Sequence, residues 1–171
     1  MKGTFIAKLT FIIILFTIVS ACNVSEEQVR EHASKTFSEK IEQEKKTTTY
    51  NTDELSIYIP SFTEVDVVDE YNIILERDNH VFLLFLNDFT SYDSEEELLE
   101  EMMVYEEPFI IEMGETEGKL AYLIVTDFGD FDEYRIVVGY GGRKITTIST
   151  LGELNNVAQI MYDIVQSIEE N

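Results

Sequence analysis

Three short turn signals constrain this chain most. Asp78-Asn79, Glu117-Gly118 and Gly141-Gly142 each stand between two apolar, strand-like runs. Residues that tolerate positive φ at such places predict tight hairpin turns. The flanking runs are 71–76 with 81–86, 109–113 with 120–126, and 134–140 with 144–149. Strands that follow one another in sequence argue for an antiparallel sheet with helices packed on its faces, an α+β fold. The run 81–86 (VFLLFL) is apolar at every position. It predicts a central strand covered on both sides.

The remaining elements fit that plan. Residues 55–59 alternate for a strand that Pro60 stops, and 65–68 form a second short strand. Ser94 with Glu97 three residues on is a capping box, opening a helix to about residue 105 with Leu98, Leu99, Met102 and Met103 inward. Leu151, Leu154, Val157, Ala158, Met161, Ile164, Val165 and Ile168 define the broad apolar face of a closing helix, and Gly152 delays its start. Upstream, Ser25 with Gln28 is another capping box, and Val29, Ala33, Phe37 and Ile41 recur every four residues. That spacing drifts around a 3.6-residue helix, so its apolar stripe is narrow. Residues 25–46 therefore read as a polar spacer helix or, alternatively, a helix that docks on a partner. His32, among its charges, needs no role beyond solvent exposure. The TTTYNTD stretch at 47–53 reads as a linker. The resulting division is a leader at 1–21, a tether at 22–54 and one α+β domain at 55–171.

The order of elements in 55–170 resembles the PsbP-like domain, on the opening strand that ends at Pro60 and the Ile145-Thr146-Thr147-Ile148 arm before the last helix. The likeness is one of topology and implies a non-enzymatic, accessory role. The leader is more specific. Lys2 and Lys8 precede an apolar run to Ala21, shorter than the ~20 residues of a membrane span. A basic start, a short apolar middle and small residues at the end make a secretory signal. Val19-Ser20-Ala21-Cys22 closely resembles the lipobox of bacterial lipoproteins, where Leu is commoner than Val at the first place. The resemblance implies cleavage between Ala21 and Cys22 and a diacylglyceryl group on the Cys22 thiol. It also implies a protein anchored by lipid on the extracytoplasmic face of a cell membrane. Cys22 is the only Cys, so no disulfide competes for it.

Charge removes other classes. The chain has 12 Lys plus Arg against 34 Asp plus Glu, a net charge of −22. Such a surface repels phosphate backbones and excludes a basic nucleic-acid face. Cleavage after Ala21 would remove Lys2 and Lys8 and no acid, leaving −24. The expectation is a globule pushed off anionic lipid and held by its acyl chains.

Few residues suggest chemistry. There is no G-x-S-x-G, and two histidines cannot make a three-histidine zinc site. His80 lies beside a turn with only Asp78 near, which gives a base no nucleophile to serve. Gly139-Tyr140-Gly141-Gly142 precedes a strand, not the helix a phosphate loop needs. Asp127, Asp130, Asp132 and Glu133 crowd one loop and are weak candidates for a divalent cation, without the spacing of a calcium-binding loop. Arg135, Arg143 and Lys144 make a small candidate patch for an anionic partner. No cofactor is expected beyond the lipid. The sequence favours a binding or accessory lipoprotein with a protein partner in the envelope. A weak cation-binding lipoprotein and a carboxylate-based hydrolase are the alternatives.

Overall fold

The turn residues bend as the sequence asks. Asp78 and Asn79 have φ of 50° and 66°, Glu117 and Gly118 55° and 72°, Gly141 and Gly142 57° and 86°. In the computed structural model, which describes residues 25–86, 92, 94–129 and 132–171, each pair closes a hairpin. These are β4 (Asn72–Arg77) with β5 (His80–Phe85), β6 (Ile110–Thr116) with β7 (Lys119–Asp127), and β8 (Glu133–Tyr140) with β9 (Arg143–Thr150). With β3 (Glu64–Val67) at one edge they form a seven-stranded antiparallel sheet in the order β3-β4-β5-β9-β8-β7-β6. A small second sheet joins β1 (Tyr50–Asn51) and β2 (Leu55–Ile57) to β10 (Glu169–Glu170). The fold is α+β, with helices on an antiparallel sheet.

Among the described residues three helices pack on the large sheet: α1 (Glu26–Ile41), α2 (Glu95–Glu101) and α3 (Leu154–Gln166). Both capping boxes form. Ser25 Oγ accepts from the Gln28 amide at 3.3 Å and Ser94 Oγ from the Glu97 amide at 3.1 Å. Met103, at φ 55°, ends the α2 segment before residue 105. Helix α3 starts at Leu154, after the turn that holds Gly152.

One face of the sheet is covered by α1 and α3. Its core includes Leu75, Phe82, Leu84, Leu123, Ile136 and Val138 from the strands, with Met161 and Val165 from α3. Here α1 departs from the spacer expected of it. Val29, Ala33 and Phe37 are buried in this core, and the Phe37 ring meets Tyr162 edge-on at 6.0 Å. Lys40 Nζ donates to Asp163 Oδ1 at 2.6 Å, and the His32 ring contacts Asn155. The narrow stripe suffices because α1 sits in the groove between α3 and β6, where only a strip of helix surface needs to be apolar. The packed body thus begins at α1, upstream of residue 55, and the 47–53 stretch supplies β1.

The opposite face is covered only in part. Helix α2 places Leu98 and Met102 over Tyr122, Ile124 and Val137. Tyr122 pairs with Gly139 across β7 and β8, and a Cβ on Gly139 would lie 2.0 Å from Tyr122 Cζ, so glycine is required there. Over β5 nothing among the described residues takes this place. Val81 is 49% exposed and Leu83 50%. The strand is central, between β4 and β9, but the expected cover on both sides is wrong. Alternation along β5 buries Phe82 and Leu84 on the helix-bearing face and turns Val81 and Leu83 outward.

Candidate functional site

The open half of that face is the most distinctive surface of the molecule. Register places Ile74 opposite Leu83 and Leu83 opposite Thr146, and Ile148 on β9 is 40% exposed. Between this row and α2 lies a cleft of about 300 Å³, bordered by Leu83, Phe85, Tyr92, Glu101, Lys144 and Thr146. Lys144 Nζ sits 5.4 Å above the Phe85 ring centroid and 3.9 Å from Met102 Sδ, a cation at an apolar wall. Size and lining suit a side chain or a small ligand.

The three basic residues of the candidate patch are not brought together. Lys144 and Arg135 share the α2 face, and Arg135 Nη2 donates to the Met102 carbonyl at 3.2 Å. Arg143 lies on the other face, buried. It donates to the Ile168 carbonyl at 2.7 Å and to Glu170 Oε1 at 3.3 Å, tying the end of α3 and β10 to the sheet. Adjacent residues of a strand point to opposite faces, which separates Arg143 from Lys144.

The acidic loop joins β7 to β8. Asp127 pairs in register with Tyr134, and Glu133 with Thr150, so these two acids fall on opposite faces. Asp132 has φ 55°, and Asp130 lies outside the described residues. Among the described residues no group of three His, Cys, Asp or Glu is placed to hold a metal ion. Burial pushes the Tyr134 phenol up, helped by the negative charges of Glu26, Asp132 and Asp127. Arg30 on α1 lies 4.9 Å over the Phe109 ring, which packs on Tyr134 at 5.0 Å, and this puts the start of α1 beside the loop.

His80 does stand at the start of a strand beside a turn. Its Nδ1 is 3.2 Å from the Ile148 carbonyl and its Nε2 3.8 Å from Glu153 Oε2, to which Thr150 Oγ1 donates at 3.0 Å. Both ring nitrogens therefore face acceptors, and no described hydroxyl is aimed at either one. The perturbed phenols are structural. Burial, then a 3.0 Å hydrogen bond to Glu117, pushes Tyr140 up to about 12. Burial raises Tyr122 and Tyr162 further.

Ala21 and Cys22 lie outside the described residues. Among the described residues no helix is long and apolar enough to cross a membrane. Sequence reasoning missed the open face and the Lys40–Asp163 pair. Only the uninterrupted apolar run at 81–86 hinted at the first, and nothing local signals the second. No protein-family model matches the chain, and no curated protein matches it.

Proposed function

We propose that this chain is a lipid-anchored extracytoplasmic protein of binding or accessory type. It is cleaved after Ala21 and held to a cell membrane by a diacylglyceryl group on Cys22. The observation that carries the reading is the position of the only Cys, directly after Val19-Ser20-Ala21 at the end of the apolar run. Two or more acyl chains anchor stably, where a single one binds only marginally. A binding role, and not catalysis, is supported by the half-open apolar face beside α2 and by a His80 whose nitrogens both face acceptors.

The test is metabolic labelling in the producing cells. The wild-type chain is expected to incorporate labelled palmitate and to yield a mature N-terminal peptide starting at lipid-modified Cys22. Cys22→Ala is expected to lose the label. A wild-type chain without label, or one cleaved elsewhere, would sink the proposal.

A further inference from the structure

The start of α1 fixes one end of the body. Glu26 lies by Tyr134 and the β7–β8 loop, and Arg30 lies over Phe109 just before β6. At the other end of the helix Ile41 meets Gly114, and the Glu117 charge reaches Lys45. Helix α1 therefore runs from the end of the sheet that carries the β4–β5 and β7–β8 connections to the end that carries the 117–118 and 141–142 turns.

The three most exposed large hydrophobic side chains among the described residues all lie at the first of these ends, Phe62 toward the β3 edge and Met103 and Tyr105 by the β7–β8 loop. Phe62 is 97% exposed, Tyr105 84% and Met103 70%. Phe62 follows Ser61, whose carbonyl accepts from Arg77 at the base of the β4–β5 turn. Met103 and Tyr105 border a cleft with Thr126, Phe128 and Arg135 beside the β7–β8 loop, and Phe128 is itself 44% exposed. Aromatic side chains at such a rim match the amphipathic layer of a membrane surface.

We propose that this end of the domain rests on the lipid surface, with Phe62, Met103, Tyr105 and Phe128 entering the headgroup layer. The inference rests on the lipid anchor at Cys22. Three residues lie between Cys22 and Glu26, so four Cα–Cα steps give a reach of at most about 14 Å. Since α1 is packed into the core, it cannot lift the body as a spacer would. A lipid on Cys22 then leaves only this end able to meet the bilayer. Glu106, Glu107 and Asp127 border the same cleft as Met103, Tyr105 and Phe128, with Arg135 as the nearby cation, and Asp132 and Glu133 follow in the β7–β8 connection. The contact therefore favours zwitterionic over anionic headgroups.

The chain has no Trp, so introduced tryptophans report without background. Phe62→Trp, Phe128→Trp and, as the far-end reporter, Tyr71→Trp are made in the full chain and extracted from membranes of the producing cells. The mass of the N-terminal peptide is taken, and the protein is reconstituted in phosphatidylcholine vesicles containing brominated lipid. Tyr71 is half-exposed and precedes β4 at the opposite end. With lipid present on Cys22, the expected result is quenching at positions 62 and 128 several-fold stronger than at 71, weakened when phosphatidylglycerol is added. Lipid on Cys22 with equal quenching at all three positions, or with quenching strongest at 71, overturns the orientation and leaves the anchor standing. A peptide without lipid overturns the anchor, and the orientation falls with it.

Discussion

If α1 belongs to the core, truncating its largest buried side chain must destabilise the whole body. Phe37 is 6% exposed and packs edge-on against Tyr162, which is itself buried. Phe→Ala in a core costs about 3–5 kcal/mol. The lower end applies here, because α1 lies at the outer side of the core and can partly settle into the gap. For a body of this size, about 3 kcal/mol corresponds to a fall in Tm of roughly 6–12 °C. The assay is urea and thermal unfolding of the chain from residue 23 onward, followed by circular dichroism and tyrosine fluorescence. Lys35→Ala is the control. Its 3.8 Å pair with Glu39 is exposed on both sides, so the change should stay within about 0.5 kcal/mol. A loss for Phe37→Ala no larger than that of the control, with the rest of the unfolding curve unchanged, would refute the packing of α1 and restore the spacer.

Four further outcomes are expected. Lys40→Ala strands Asp163 at the α1–α3 contact and should cost about 2 kcal/mol, less than the ~3–5 of a fully buried pair; Lys40→Met with Asp163→Leu should recover most of that in the same unfolding assay. The Tyr162 hydroxyl is buried with no hydrogen-bond partner among the described residues, so Tyr162→Phe should raise stability by about 1 kcal/mol, and a loss would show the group is satisfied. Gly139→Ala drives a methyl into the Tyr122 ring and should cost about 3 kcal/mol or more, read as a lower urea midpoint. Burial holds Tyr122, Tyr140 and Tyr162 protonated in the fold, Tyr140 up to about 12, while the unfolded chain ionises near 10. Stability is therefore fully present below about pH 10 and lost as pH rises from there through 12; the last part of the rise in absorbance at 295 nm should come together with loss of circular dichroism, and ionisation of all nine phenols in an intact fold would contradict this.

The parts of the fold legible in the sequence are those decided locally. Asp78-Asn79 and Gly141-Gly142 specify their turns through their own φ preferences, and the two serine caps are satisfied three residues away. The α3 face was readable because a broad stripe admits one interpretation. Long-range choices left no such mark. Val29, Ala33, Phe37 and Ile41 make the same stripe whether α1 docks or stands free, and the partner that decides it, Asp163, lies at the far end of the chain. The run 81–86 identifies a central strand, but cover on its second face depends on where α2 packs, which is over β6, β7 and β8. Arg143 and Lys144 are neighbours in sequence, and only the phase of β9 shows that they part.

The open face goes with a short α2 placed toward one edge of the sheet. Helix α2 has seven residues and so spans about 10 Å. Seven strands are about 29 Å across. Helix α2 packs over β6, β7 and β8, and among the described residues nothing covers this face of β5. On the other face, α1 and α3 lie side by side, with 16 and 13 residues, and cover strands from both halves of the sheet. A chain this acidic has ample polar residues with which to coat the uncovered half, and β3 does so with Glu64 and Asp66 on the same side as Ile74. Ile74, Val81, Leu83 and Ile148 nevertheless keep that half apolar. Leaving such a row half-exposed stabilises nothing in the isolated domain. Its presence next to a cleft with Lys144 at the wall is the feature of the fold from which the proposed binding role is argued.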